Sequence, residues 1–277
     1  MMTKGLLRRL RKDRKALTPA ISTTILTSAI IVMLLVTINF ANNYLSARVA
    51  ENEFNAMKQF MQTIGLQVDD VAWIPGRTQT MHYASKNGQV KLQSPALNYS
   101  FYSDTVIIAN FTVGAIMFNM PVAAYSVANN YFERIFPSSD SFLQKNASAP
   151  VCQLFVVEKL PMMDGSFIRI VVSPVIRQIT TVINNITYVK FYIPVLKAGP
   201  NPQQSQSVTL TGKNVFHQTM TGATNVTIGL DFPNGPSTGL TADFFNFTRT
   251  SETINVASTS VIEIYAGEVS VSLGLYA

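Results

Sequence analysis

The sequence predicts an α+β protein: a long amino-terminal helix, then a mainly antiparallel, β-sandwich-like domain. Three observations carry the prediction. Residues 16–47 hold no charged side chain. From Leu45 to Val68 apolar residues recur at helical spacing. Beyond Asp70 the pattern turns to short apolar runs separated by Gly, Pro, Asn and Ser.

The uncharged stretch comes first. Its most apolar part is Ala29-Ile30-Ile31-Val32-Met33-Leu34-Leu35-Val36-Thr37-Ile38. At about 1.5 Å per residue, a helix of this length exceeds the roughly 30 Å hydrocarbon layer of a bilayer. A helix also satisfies its own backbone, which lipid demands. Thr23, Thr24, Thr27 and Ser28 can return their hydroxyls to the preceding turn, so they do not oppose insertion.

Charge sets the orientation. Of the chain's 21 Lys and Arg, seven lie in residues 1–15; of its 15 Asp and Glu only Asp13 does, which leaves 14 of each sign elsewhere. The basic excess therefore sits wholly before the apolar stretch. It predicts a cytoplasmic amino terminus and an outer carboxy-terminal domain, in a single pass of the cell membrane. A neutral body leaves no basic face for phosphate, so nucleic acid is not an expected partner. The rival reading is a cleaved signal peptide. That needs a small-x-small site close behind the apolar run, and Ala41-Asn42-Asn43 is a poor one.

The helical pattern runs through that point as Leu45, Val49, Met57, Phe60, Met61, Ile64 and Val68, with Glu51, Glu53, Lys58 and Gln62 on the other sides. One helix over residues 17–68 is predicted, lipid-embedded first and amphipathic after.

Arg14-Lys15-Ala16-Leu17-Thr18-Pro19-Ala20-Ile21-Ser22 resembles the processing region of archaeal type IV prepilins, and the segment from Val71 to Thr80 is similar to the stretch after the helix in archaeal pilin-like surface proteins. The resemblance implies a class III signal peptide: a leader cut by prepilin peptidase ahead of the helix, between Ala16 and Leu17, with Lys15 before the cut. It implies helix packing with other pilins or with copies of itself, for which Pro19, Ile21, Leu34, Leu35, Leu45 and Val49 are the candidate residues. Bacterial pilins carry a Glu at the fifth mature position, where this chain has Ile21, as many archaeal members also lack the acid. On this reading residues 1–16 are a basic leader, 17–70 a membrane and stalk helix, and 71–277 a β-rich outer domain.

Within that domain Pro75-Gly76 ends the helical region. Residues 78–85 and 89–93 flank Asn87-Gly88, a dipeptide suited to a hairpin turn. Further strands are expected over 105–111, 153–158, 167–173, 187–196, 207–211, 224–231 and 253–275, the last broken near Ala266-Gly267. Val269, Val271, Leu273 and Leu275 alternate with Ser270, Ser272 and Gly274, as on a strand with one buried face. Residues 123–136 read as a helix, or a loop with one helical turn. Residues 197–206 read as a linker between subdomains or a long hairpin loop, the loop being favoured because about 70 residues after it make a thin domain alone.

Six Asn-x-Ser/Thr sequons follow the helix, at Asn98, Asn110, Asn146, Asn185, Asn225 and Asn246, and none precedes it. They are candidates for glycosylation on the outer side. Asn110 and Asn185 border apolar runs.

Catalytic groups are sparse. There are two His and one Cys. Cys152 sits in an apolar run and reads as a buried small hydrophobe. His82 and His217 lie in predicted strands with no second ligand at metal spacing. Asp69-Asp70 at the helix end lack a calcium-loop pattern and read as solvated or as a turn cap. No nucleophile elbow, phosphate loop or dinucleotide fingerprint is present. The expectation is a non-enzyme without metal or cofactor: a structural or adhesive surface subunit, minor or accessory, in the membrane or a surface filament. The alternative is a monomeric anchored domain binding a solute, glycan or envelope layer; an anchored hydrolase is a third. The ten Tyr and 17 Phe would point to sugar or surface adhesion only if some cluster toward solvent.

Overall fold

Helix α1 runs from Thr3 to Ala72 in the computed structural model. It starts before residue 17 because residues 4–15 are rich in Leu, Arg and Lys, all good helix formers. The structure describes residues 3–125, 127, 131–136, 139–146, 153–159, 167–200 and 206–274, with side chains for the same residues except 3–20 and 153–159. The chain divides into two compact units, Met1–Val49 and Ala50–Ala277, so the last turns of α1 belong to the second.

In the first unit, α1 has a segment long and apolar enough to cross a membrane, and none of it is buried.

The second unit holds two sheets and the end of α1. The first sheet has six strands: β1 (Thr78–His82), β10 (Ser207–Thr221), β13 (Val261–Leu273), β9 (Ile186–Ala198), β8 (Ile176–Ile183) and β5 (Leu143–Lys145), in that spatial order. The second has seven: β12 (Ser251–Asn255), β11 (Asn225–Asp231), β2 (Gln89–Ser103), β3 (Val106–Pro121), β7 (Phe167–Pro174), β6 (Gln153–Lys159) and β4 (Phe132–Phe136). Pairing is antiparallel except for β13 with β9 and β5 with β8, so the domain is mainly antiparallel, as the sequence predicts. Short helices α2 (Gly235–Thr238) and α3 (Ala242–Phe245) lie between β11 and β12; the Thr241 hydroxyl caps α3 by accepting from the Phe244 N–H.

Several strands bury both faces. Val113, Ala115 and Met117 of β3 face a core between the sheets, with Phe101, Phe191, Ile193, Ile262 and Ile264. The alternate residues Ile116, Phe118 and Met120 face a second core, built on α1. There Phe54, Met57, Met61, Ile64, Val68 and Val71 meet Ile168, Ile170 and Val172 of β7, Leu196 of β9, Val208 and Leu210 of β10, and Val269 and Val271 of β13. The helix positions alternate in steps of three and four, which sets one stripe toward the sheets. Met61 is wholly buried; truncation at such a site costs about 2–5 kcal/mol.

The end of α1 comes down on two glycines. A Cβ at Gly267 would lie 2.4 Å from the Ala72 carbonyl oxygen, and one at Gly212 would lie 2.5 Å from that of Val71. Only hydrogen side chains let helix and strands approach this far.

Some expectations are corrected. Asn87-Gly88 does not join a hairpin: β1 pairs with β10 and β2 with β3 and β11, in different sheets. The turn is held by α1 instead, through Glu53, and Gly88 packs on Phe118. Residues 123–136 hold no long helix among the described residues: a single turn, in which the Ala124 and Tyr125 N–H groups donate to the Pro121 carbonyl, is followed by β4, paired with β6. The final strand region breaks over 256–260, not at Ala266-Gly267, which β13 runs through. The 197–206 segment connects β9 to β10 within one compact unit, and β13 lies between those strands, so it is neither an interdomain linker nor a hairpin. Residues 201–205 and Cys152 lie outside the described residues.

Candidate functional site

The candidate site begins with α1. Lys15, Ala16, Leu17 and Pro19 lie in its helical backbone, and their side chains are outside the described residues. Ile21, Leu34, Leu35, Leu45 and Val49 are each between 51% and 59% exposed, an apolar surface with no partner among the described residues. Leu45 and Val49 thus stand apart from the buried stripe that starts at Ala50.

Polar groups in this stretch turn inward to the helix. Thr27 donates to the Thr23 carbonyl at 2.9 Å, Thr37 to Met33 at 2.7 Å, and the Asn39 amide to Leu35 at 3.0 Å. Asn39 was not foreseen in this role; its place four residues after Leu35 was the available signal. At the end of the uncharged stretch Arg48 Nε donates to the Tyr44 hydroxyl at 3.2 Å, and its guanidinium lies 5.3 Å from the ring centroid. Tyr and Arg together suit the boundary between hydrocarbon and water.

The sequon asparagines fall into two groups. Asn146, Asn185 and Asn246 are exposed and hold left-handed backbone, with φ of 55°, 61° and 51°. Asn98, Asn110 and Asn225 lie in strands. Asn98 is paired on both sides, to Thr112 and Asp231, and its side-chain oxygen accepts from the Thr112 hydroxyl at 3.2 Å. Thr112 is the hydroxyl residue of the Asn110 sequon, so the fold brings these two sequons face to face across β2 and β3. The Asn225 amide donates to Asp104 at 2.9 Å.

The titratable groups do not converge. His82 ends β1 opposite Ser207, while His217 stacks on Tyr265 at 4.5 Å, with interplanar angle 13°. Both histidines are exposed. Asp70 pairs with Arg77. Among the described residues no group of three or more His, Cys, Asp or Glu is placed to hold a metal ion.

A solvent-facing row of aromatics, which sequence reasoning did not locate, crosses the first sheet. Register aligns His217, Tyr265 and Tyr192 on adjacent strands, and the Tyr rings stack at 5.0 Å and 8°. Trp73 meets Tyr192 edge-on at 5.5 Å. The rings stand on edge, spaced like the strands beneath them, so they brace one another and present few faces to a ligand.

No protein-family model, curated protein or solved structure matches the chain.

Proposed function

We propose that this chain is a cell-surface pilin-like subunit, structural or adhesive and without catalytic activity. Its leader stays cytoplasmic and is removed between Ala16 and Leu17 by a prepilin peptidase. The apolar part of α1 then holds it in the membrane, or packs against other pilins or copies of itself in a filament. The β domain stands outside, bearing glycans at some of its sequons.

One observation carries the reading. A single helix supplies two different surfaces: residues 21–49 expose apolar side chains throughout, while 50–72 form the wall of a core. A helix that served only the β domain would have no use for the first surface, because exposed patches of this size mark contact with lipid or protein. The basic leader and uncharged stretch add the direction of insertion.

The amino terminus of protein taken from native membranes, determined by mass spectrometry, tests this. Leu17 as first residue is expected, and Ala16→Asp is expected to leave the leader attached. A terminus beyond Ala41 would reveal a lost signal peptide and end the proposal. A retained Met1, with monomeric extraction in mild detergent, would favour an anchored binding domain instead.

A further inference from the structure

At Gly114, β3 crosses β9 so closely that a Cβ there would lie 3.0 Å from the Leu196 carbonyl oxygen. Beside this crossing the sheets part around a cleft of about 410 Å³. One wall is the Asn110–Phe111 edge of β3; the floor is the first sheet, where register sets Asn214 beside Glu268 and Phe216 one row away. The cleft opens between two bare strand edges. β1 pairs with β10 only at residues 207–211, and β7 pairs with β3 only from Ile116 onward, so 214–221 and 106–115 each lack an outer neighbour among the described residues.

The lining has a definite chemistry. Lys197 Nζ lies 2.6 Å from the Glu268 carboxylate, so its two charges cancel. An ionic ligand would have to break that pair, whereas a neutral one can hydrogen-bond to its free edges. Asn110 and Asn214 add amide donors and acceptors, and both are exposed. Phe216 is 43% exposed and meets Phe111 edge-on at 5.6 Å, so the aromatic surface is held in place but not covered. Neutral charge, a rim of donors and acceptors, and an aromatic surface match a sugar ring, which has an apolar C–H face and a girdle of hydroxyls. The volume falls in the usual ligand range of roughly 300–1,000 Å³.

We propose that this cleft binds a neutral saccharide, with Phe216 as the stacking surface and Asn110, Asn214, Lys197 and Glu268 contacting its hydroxyls. This gives the surface subunit a ligand class, and it rests on that reading only for where the sugar is met.

The test uses full-length protein in lipid nanodiscs, free of sugar-based detergent. Glucose, galactose, mannose, N-acetylglucosamine and their β-linked disaccharides are titrated and followed by saturation-transfer NMR. Saturable binding of at least one is expected. Phe216→Ala and Glu268→Gln should each weaken it about tenfold or more, through lost stacking and a lost charged hydrogen bond. His217→Ala, on the opposite face of β10, should leave it unchanged, and circular dichroism melts should show all variants folded. Binding by none of the sugars overturns the proposal, as does binding that both cleft variants retain. So does saturation by free amino acids or by a synthetic peptide of residues 214–221 in place of sugars. A glycan attached to Asn110 in native protein also overturns it, because the cleft would then seat the chain's own modification. Leader processing does not enter the titration, so the two readings fail separately.

Discussion

Glu53 on α1 binds Asn87 twice: one carboxylate oxygen accepts the Asn87 backbone N–H at 2.9 Å and the other its side-chain amide at 2.8 Å. The Ser85 hydroxyl donates to the same carboxylate at 2.5 Å. A turn that would suit a hairpin is thereby fastened to a helix, and the chain passes from one sheet to the other. Glu53→Ala strands these donors in a half-buried site and should cost about 1–3 kcal/mol. Chemical denaturation of the nanodisc-held protein measures it; a cost near zero would mean that the latch does not matter.

Gly267→Ala should destabilise by about 1–3 kcal/mol, because its methyl meets the Ala72 carbonyl and neither backbone can yield freely. Gly229→Ala provides the contrast. Its Cβ would lie 3.6 Å from Tyr102, an ordinary contact, so the change should be neutral or slightly stabilising. Thermal melts of the two variants side by side check the difference.

The attachment of β4 to α1 should depend on pH at both extremes. Burial pushes the Glu133 carboxyl up, but hydrogen bonds from Lys58 and Tyr131 outweigh it and hold the pKa below the usual value. Such a group stabilises the fold above the ordinary carboxylate range, and the gain is lost as pH falls through the lowered pKa. The Tyr131 hydroxyl, bonded to Glu133 and partly buried, is pushed up to about 12. The unfolded chain ionises near pH 10, so stability should fall again as pH rises from there toward 12. Both partners of the ion pair are partly exposed, so each effect should be about 1 kcal/mol or less. Hydrogen exchange of residues 131–136 across pH reads it, and Lys58→Met should shrink the acid-side loss, because it removes a hydrogen bond that holds the Glu133 pKa down.

Glycan occupancy should follow backbone geometry. Asn146, Asn185 and Asn246 are exposed and hold left-handed backbone. Asn98 is half-buried, paired to a strand on each side and bonded to Thr112; Asn225 already donates to Asp104, and Asn110 lines the cleft. Peptide mapping of native protein should find sugar on the first three and none on the second.

The long helix was legible because its signals are local: uncharged residues 16–47 and a stripe through Met57, Met61, Ile64 and Val68. The fold class followed, and most strands fell where short β-branched runs predicted them. Asn87-Gly88 reads as a hairpin turn because the competing partner, Glu53, meets it in space but lies 34 residues away in sequence, beyond any local signal. The length of β3 was missed for a different reason. Residues 113–120 are buried on both faces, so they show no alternation to mark them as a strand. Asn110, Phe111, Asn214 and Phe216 carried no shared sequence signal at all; only the crossing at Gly114 brings them around one cleft.

Because Met57, Met61, Ile64 and Val68 are interior residues of the β domain, where a protease cuts α1 decides what it releases. On the proposed topology, a nick close before Val49 would free the head with its core intact, whereas one nearer Ile21 would leave the apolar stretch attached to it. A nick past Ala50 would pull the keystone from the arch, leaving Phe118, Ile170 and Val269 bare to water and the fragment prone to clump. Release of an intact domain is therefore confined to the few peptide bonds just ahead of that boundary.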